Sequence, residues 1–459
     1  MSLSIIILAA GKGTRMRSDL PKVLHPLANK PMLGHVIDCA RSLSECASLH
    51  IVYGHQGQQL QLAFNNQNDL NWHHQAKQLG TAHAVGIALA TIPDNHQVLV
   101  LYGDVPLITK HTLNPLLSAT KKDSLGVLTA LMDKPQGYGR IIRNAQSQVT
   151  AIVEERDANN LQREICEVNT GILLAQADFL KRAIDRIDNE NSQGEYYLTD
   201  VIAEAVLDTL SVYGVIAEET QETLGVNDRL QLATMERLYQ QRQAQTCLRN
   251  GVTLKDPARF DLRGEFSHGT DCSIDINVLL KGQVTLGNRV NIGANCVIED
   301  AVIGDDVTIQ PNTVVQQAHV GNGCQLGPFA RLRPGAILQE DVRVGNFVEI
   351  KKSTVGSGTK INHLSYVGDA LIGEKANLGA GTITCNYDGA NKSCTIIGDE
   401  AFIGSATQLV APVEIGQRAT IGAGSTITKD APADTLTLSR SKQVSLRSWK
   451  RPVKKHRGH

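Results

Sequence analysis

Ile397–Ile427 reads IGDEAFIGSATQLVAPVEIGQRATIGAGSTI. An aliphatic residue recurs at every sixth position, at Ile397, Ile403, Leu409, Ile415, Ile421 and Ile427, and Gly398, Gly404, Gly416 and Gly422 each follow one. The period runs back through Leu326-Gly327, Leu332, Leu338, Val344-Gly345 and Ile350, and through Leu286-Gly287, Ile292-Gly293, Ile298, Ile303-Gly304 and Ile309. A six-residue repeat reads as a short strand, one inward aliphatic and a tight turn, with glycine accepting turn dihedrals that a Cβ resists. Coils stacked in this way bury a continuous aliphatic column. The expected architecture of the back half is a left-handed parallel β-helix, reaching to about Ser439.

A chain of 459 residues has room for two or three domains. The aromatic content of 4% suits a solenoid core of Ile, Val and Leu. A net charge of −1 offers no global basic field for nucleic acid. The tail is the exception, with Arg447, Lys450, Arg451, Lys454, Lys455 and Arg457. Such a tail reads as a solvated end or as a reach toward an anionic ligand. Nine cysteines at an odd count, with no CxxC spacing, argue against a disulfide framework or a zinc site. The apolar run Ile5 to Ala10 is too short to span a membrane and lacks the basic lead-in of a signal peptide. A cytoplasmic protein without membrane insertion is expected.

The front half alternates apolar strands (Ser4–Ala9, Leu49–Tyr53, Gln97–Tyr102, Leu125–Met132) with helical patterns (Leu33–Leu43, Ala82–Ala90, Lys110–Ala119). That alternation predicts a Rossmann-like α/β domain with a parallel sheet and ligands at the carboxyl ends of its strands. A long helix is predicted over Asp228 to Leu248, closed by Gly251.

Leu8-Ala9-Ala10-Gly11-Lys12-Gly13-Thr14-Arg15-Met16 leaves the first strand for a glycine-rich loop. Gly11 and Gly13 let backbone N–H groups approach a phosphate, and Lys12, Arg15 and Lys22 supply charge. It is neither a Walker A loop nor a dinucleotide fingerprint. Asp104 follows an apolar strand and can hold Mg²⁺ or cap the helix after Pro106. Asn227 alone reads as a helix cap, and Glu154 beside Glu155 and Arg156 reads as a solvated charge.

Leu8–Met16 with Pro21-Lys22 resembles the signature of sugar-1-phosphate nucleotidyltransferases. Gln75, Gly80-Thr81, Tyr102-Gly103-Asp104, Gly137-Tyr138-Gly139-Arg140, Glu154, Asn169-Thr170-Gly171 and Asn227 follow in that family's order. Joined to the hexapeptide half, the whole chain resembles the bifunctional bacterial enzymes of UDP-N-acetylglucosamine synthesis. The resemblance implies a uridylyltransferase domain over residues 1–229, a helical linker over 230–250, and an acetyltransferase β-helix with a basic tail over 251–459. It implies Mg²⁺ on Asp104 and Asn227, with Lys22 and Arg15 neutralising the transferred phosphoryl group. Leu8, Ala9, Ala10 and Gly11, with Gln75, Gly80 and Thr81, would read the uracil of UTP. Tyr102, Gly103, Gly139, Glu154 and Asn169 complete the implied nucleotide-sugar site, the last three holding the sugar hydroxyls and N-acetyl group.

In the back half, Leu332 and Ile350 lie three repeats apart, which stacks Arg333 and Lys351 on one edge if three hexapeptides make a coil. Two aligned cations need an anion between them or remain an exposed ladder. His363 stands two residues past Ile361, near a corner, and can take a proton from an attacking amine. The repeat stops at Cys385–Lys392 and restarts near Ile396, which predicts a protruding loop. By resemblance His363 is the general base, oriented by Glu349. Arg333, Lys351, Tyr366 and Asn377 would bind glucosamine 1-phosphate, and Ala380, Asn386, Tyr387, Ser405, Ala423 and Arg440 would bind acetyl-CoA. A homotrimer with small-molecule substrates and no nucleic acid is implied. The alternative is a uridylyltransferase whose solenoid only oligomerises; a non-enzymatic scaffold has no use for Lys22 and Asp104.

Overall fold

The computed structural model describes residues 2–11, 13–54, 56–191 and 193–453; Lys12 and the tail residues Lys454, Lys455 and Arg457 lie outside them. The chain divides into two compact units, Met1–Arg242 and Gln243–His459. The division falls inside the long helix α7 (Arg229–Arg249). In that helix Met235 is buried with Leu27, Met32 and Leu107, whereas Ala244 and Cys247 belong to the core of the second unit.

The first unit is built on strands β1 (Leu3–Ala9), β2 (Cys46–Tyr53), β3 (Leu70–His74), β4 (Gln97–Tyr102), β5 (Ser124–Leu131), β6 (Arg140–Arg143), β7 (Val149–Val153), β8 (Glu167–Gln176) and β9 (Ser211–Ile216). Its helices α1 (Met32–Arg41), α2 (Gly57–Ala63), α3 (Thr81–Leu89), α4 (Lys110–Ala119), α5 (Ala177–Arg186) and α6 (Val201–Leu207) cover the sheet. The main sheet runs β9-β5-β8-β4-β1-β2-β3. β1 is buried along its whole length, with Leu3, Ile5 and Ile7 in one core and Ile6 and Leu8 in the other. A continuous apolar run is what a strand covered on both faces requires.

The parallel sheet expected from the alternation is corrected to a mixed one. β8 pairs antiparallel with both β4 and β5. Between β5 and β8 the chain forms the antiparallel β6–β7 hairpin rather than a long crossover helix. Without such a crossover the next strand enters from the opposite end.

The second unit is a left-handed parallel β-helix. Its ladders run parallel, and Leu332 pairs with Ile350 as three hexapeptides per coil require. Ile292, Ile309, Leu326, Val344, Ile361, Leu378, Ile403 and Ile421 form one buried column through successive coils. The glycine reading is corrected. Most of the left-handed corner dihedrals fall on non-glycine residues such as Arg289, Asp306 and Arg418, some on Gly323, Gly358 and Gly424, and of the glycines after the aliphatics Gly327 has one. The others answer a different constraint, since a Cβ at Gly404 would lie 2.5 Å from the Ala423 nitrogen on the next coil. Close stacking, not turn geometry, excludes a side chain there.

Among the described residues no helix is long and apolar enough to cross a membrane.

Candidate active sites

In the first unit the carboxyl ends of β1, β3 and β4 open onto a cavity of about 630 Å³. Leu8, Ala9, Ala10, Gly11, Arg15, Lys22, Gln75, Gly80, Thr81, Tyr102, Asp104 and Asn227 all line it. A second cavity of about 380 Å³ shares Arg15, Tyr102, Asp104 and Asn227 and adds Gly139, Glu154 and Asn169. Gly103 is buried behind the wall, its N–H donating to the Leu8 carbonyl at 2.9 Å.

Lys22 is the hub. Its ammonium donates to the Asp104 carboxylate and lies 3.4 Å from Asn227 Oδ1. Gly13 makes this approach possible, because a Cβ there would lie 2.7 Å from Lys22 Cβ. Neither capping alternative holds. Thr109 caps α4, and Asp228 Oδ1 accepts from the Gln231 N–H at 2.8 Å to cap α7. Asp104 and Asn227 thus keep their side-chain oxygens turned toward the Lys22 ammonium in the cavity. A carboxylate and an amide oxygen are hard donors, and Mg²⁺ takes such partial sets while keeping water and phosphate oxygens. The residues fit that ion. Among the described residues no group of three His, Cys, Asp or Glu is placed to hold a metal.

Gln75 is buried, and its Nε2 donates to the Gly80 carbonyl at 3.0 Å. A carbonyl cannot donate, so this contact fixes the amide orientation and leaves Oε1 as the acceptor. Glu154 is not the solvated charge its neighbours suggested. Burial raises its carboxyl pKa, countered by the Thr199 hydroxyl at 3.4 Å and reinforced by Asp200 and Asp157. Burial, with Asp104 and Glu154 nearby, raises the Tyr102 phenol. Gly171, at φ 84°, gives that ring its space, since a Cβ would lie 2.5 Å from a Tyr102 ring carbon.

Sequence reasoning missed Gln78, Gln193, Glu195 and Tyr197. Gln78 secures the Ala10 carbonyl, and the Thr81 hydroxyl accepts from the Leu198 N–H at 3.0 Å. Gln193 and Glu195 flank Gly194, and Gln78 stands two residues before Gly80, so a glycine was the local signal available at both places.

In the second unit His363, Ala380, Ser405 and Ala423 each stand two residues past a member of the buried column. They therefore share one corner on four successive coils. Backbone bonds tie them, from the Gly381 N–H to the His363 carbonyl at 3.3 Å, Ala406 to Ala380 at 2.7 Å, and Gly424 to Ser405 at 2.8 Å. Arg440 continues the line, donating Nη1 to the Ala423 carbonyl at 3.0 Å. The His363 Nδ1 is 2.9 Å from Asn346 Oδ1, one coil away. The expected Glu349 contact is corrected. Glu349 pairs with Arg333 at 2.7 Å, because its strand stacks directly on that of Arg331-Leu332.

Lys351 has its pKa lowered by Lys392 first, then by partial desolvation and Arg333, with Asp369 opposing. Three cations therefore converge where the sequence promised two. Lys392 was missed; its place on the repeat-breaking loop was the available signal. Ala370 pairs with Thr395, so this coil is longer than its neighbours and carries the loop outward. Asn386 anchors the loop base to Asp369, while the Tyr387 ring is exposed. Tyr366 pairs in register with Glu349, and its hydroxyl occupies space that a side chain on Gly368 would fill. Asn377 stands on another face, in register with Lys360 and Phe402, and is not brought against the cation cluster by a hydrogen bond. Burial raises the Cys385 thiol pKa, which disfavours its thiolate form.

Comparison with known proteins agrees with both halves. Residues 5–168 match the MobA-like NTP transferase domain. Residues 262–355 match the GMPPB C-terminal domain, and residues 394–429 match the bacterial transferase hexapeptide of six repeats. A Bacillus anthracis structure described as a "Putative Glucose-1-Phosphate Thymidylyltransferase" in complex with a sucrose aligns at 18% identity and TM-score 0.42, covering 52% of this chain and 95% of that one. The chain thus joins a nucleotidyltransferase domain to hexapeptide transferase repeats.

Proposed function

We propose that the protein carries out two successive transfers, acetylating glucosamine 1-phosphate with acetyl-CoA and then joining the product to uridylyl from UTP. The observation that carries the reading is the convergence of Lys22, Asp104 and Asn227, 205 residues apart at the extremes, beside Gln75 on one wall and Glu154 on another.

In the first unit the sugar phosphate oxygen attacks the α-phosphorus of UTP, a P–O bond forms, and pyrophosphate leaves. Lys22 and Arg15 screen the charge that accumulates on the transferred group. Asp104 and Asn227 would hold Mg²⁺, which when bound neutralises phosphate charge. Gln75 Oε1 accepts from the N3–H of uracil, a hydrogen that cytosine lacks. Glu154 and Asn169 hold the sugar.

In the second unit His363 Nε2 takes the proton from the attacking amine, while Asn346 holds the other ring nitrogen. The amine attacks the thioester carbonyl, and CoA thiolate leaves and is protonated. Arg333, Lys351 and Lys392 hold the sugar phosphate, and Tyr366 and Asn377 orient the sugar. The corner line of Ala380, Ser405 and Ala423 gives the pantetheine arm a smooth track, with Asn386, Tyr387 and Arg440 flanking it.

Exposed Phe329 and Phe347 stack at 5.3 Å beside the His363 corner. That apolar ladder favours a second copy of the chain against this edge; the number three comes from the resemblance. A panel of UTP, CTP and dTTP against N-acetylglucosamine 1-phosphate and glucose 1-phosphate, read as pyrophosphate release, tests the nucleotidyl half. The UTP and N-acetylglucosamine 1-phosphate pair should be fastest. A preference for dTTP with glucose 1-phosphate would overturn it.

A further inference from the structure

We propose that Arg140 is a positioning residue that fixes the acceptor-sugar wall of the nucleotidyl-transfer cavity, an inference that rests on the uridylyltransferase reading. Gln136, Gly137, Tyr138 and Gly139 line the cavity that also holds Asp104 and Glu154. Arg140 follows them at the start of β6 and is 1% exposed.

Its guanidinium grips this segment twice. Nη1 donates to the Tyr138 carbonyl. Nη2 pairs with Glu155 Oε2 at 2.6 Å, and the same oxygen accepts from the Gly137 N–H at 3.3 Å. The Gly139 carbonyl is pinned separately, by the Asn169 N–H at 2.8 Å. Each residue of the tripeptide therefore has at least one backbone group held, Tyr138 two, since its N–H donates to the Pro135 carbonyl at 3.3 Å. The tripeptide in turn sets the space beside Glu154, since a Cβ on Gly139 would lie 3.3 Å from Glu154 Oε1.

Stability does not explain the buried cation. Nη2 reaches a further carbonyl, that of Arg163, only at 3.5 Å, and Nε is buried without a partner. Only the Arg140 side of the pair is buried, Glu155 being 31% exposed, and a half-solvated ion pair that leaves a buried donor unmet adds little stability. What the guanidinium supplies is a fixed planar fork that spans two backbone groups at once. The sugar meets this wall. The uracil side, at Gln75 and Gly80, is built from other segments.

The test uses the full chain carrying Arg140→Met, Arg140→Lys and Glu155→Gln, with pyrophosphate release measured against each substrate. Arg140→Met should raise KM for N-acetylglucosamine 1-phosphate about tenfold while KM for UTP stays within about twofold. Arg140→Lys should rescue only part of the loss, because an ammonium cannot span both partners. Glu155→Gln removes the charge that holds Arg140 to the Gly137 arm, weakening it from the solvent side, and should shift the same constant in the same direction, which keeps the test available if Arg140→Met does not fold. An unchanged sugar KM, or an equal rise in both constants, would overturn the inference while leaving the uridylyltransferase reading intact. Wild-type protein that released no pyrophosphate would overturn both.

Discussion

His363 and Ala423 occupy equivalent corner positions three coils apart, linked through Ala380 and Ser405. At the usual interstrand spacing the line from His363 to Ala423 is about 14 Å long. A proton-accepting ring stands at one end and the Arg440 guanidinium at the other. On the proposed reading an extended thioester cofactor would lie along this line, with its reactive end toward His363 and its phosphates toward Arg440.

Replacing His363 with Ala should lower acetyl transfer by about 10²–10⁴-fold and leave uridylyl transfer from N-acetylglucosamine 1-phosphate unchanged. Release of CoA thiol and of pyrophosphate, measured separately, checks this. A parallel fall in both would mean that the two sites are not independent.

Asp104→Asn keeps the side-chain shape and removes the charge paired with Lys22. Pyrophosphate release should fall at least about 10²-fold and the Mg²⁺ concentration for half-maximal rate should rise. CoA release should be unaffected. An unchanged Mg²⁺ dependence would exclude Asp104 as a metal ligand.

A chain of hydrogen bonds crosses the sheet from His73 through His50, Ser48 and Ser4 to His96, each link 2.9 Å. Burial, with His73 and His96 close by, pushes the His50 pKa down to about 4. The unfolded chain titrates near about 6.5. Above that pH both states are neutral and the stability is intact. As pH falls from there toward the folded value, only the unfolded state gains the proton, so stability falls by roughly 2 kcal/mol at pH 5 and levels off only below the folded value. Thermal unfolding at pH 7.5 and pH 5 should show this loss, and His50→Gln should shrink it. An equal loss in the variant would assign it to other groups.

Phe347 is 56% exposed and stacked on Phe329. Phe347→Asp should shift the protein to smaller species in light scattering and reduce acetyl transfer more than uridylyl transfer. An unchanged mass would show that this ladder faces solvent.

The sequence disclosed the solenoid because its period is enforced at every coil, and Leu332 opposite Ile350 follows directly from counting. Lys22 and Asp104 were legible because a glycine loop and a strand end mark them. Strand β8 is not among the strands expected from the sequence, and its antiparallel pairing, which its residues do not encode, is what makes the sheet mixed. Asn346 and Lys392 were missed because their roles come from stacking, which places residues 17 apart in contact or turns a loop back on a coil. The resemblance assigned Glu349 to His363, and the coil register gave it to Arg333 instead.

The central claim is that two transfers run in series on one chain. The most direct measurement supplies purified protein with glucosamine 1-phosphate, acetyl-CoA, UTP and Mg²⁺, and follows free CoA thiol and pyrophosphate together. Release of both, with pyrophosphate appearing only when acetyl-CoA is present, is the predicted result. Pyrophosphate without thiol, or only when the acetylated sugar phosphate is supplied, would contradict it and leave the solenoid a structural module.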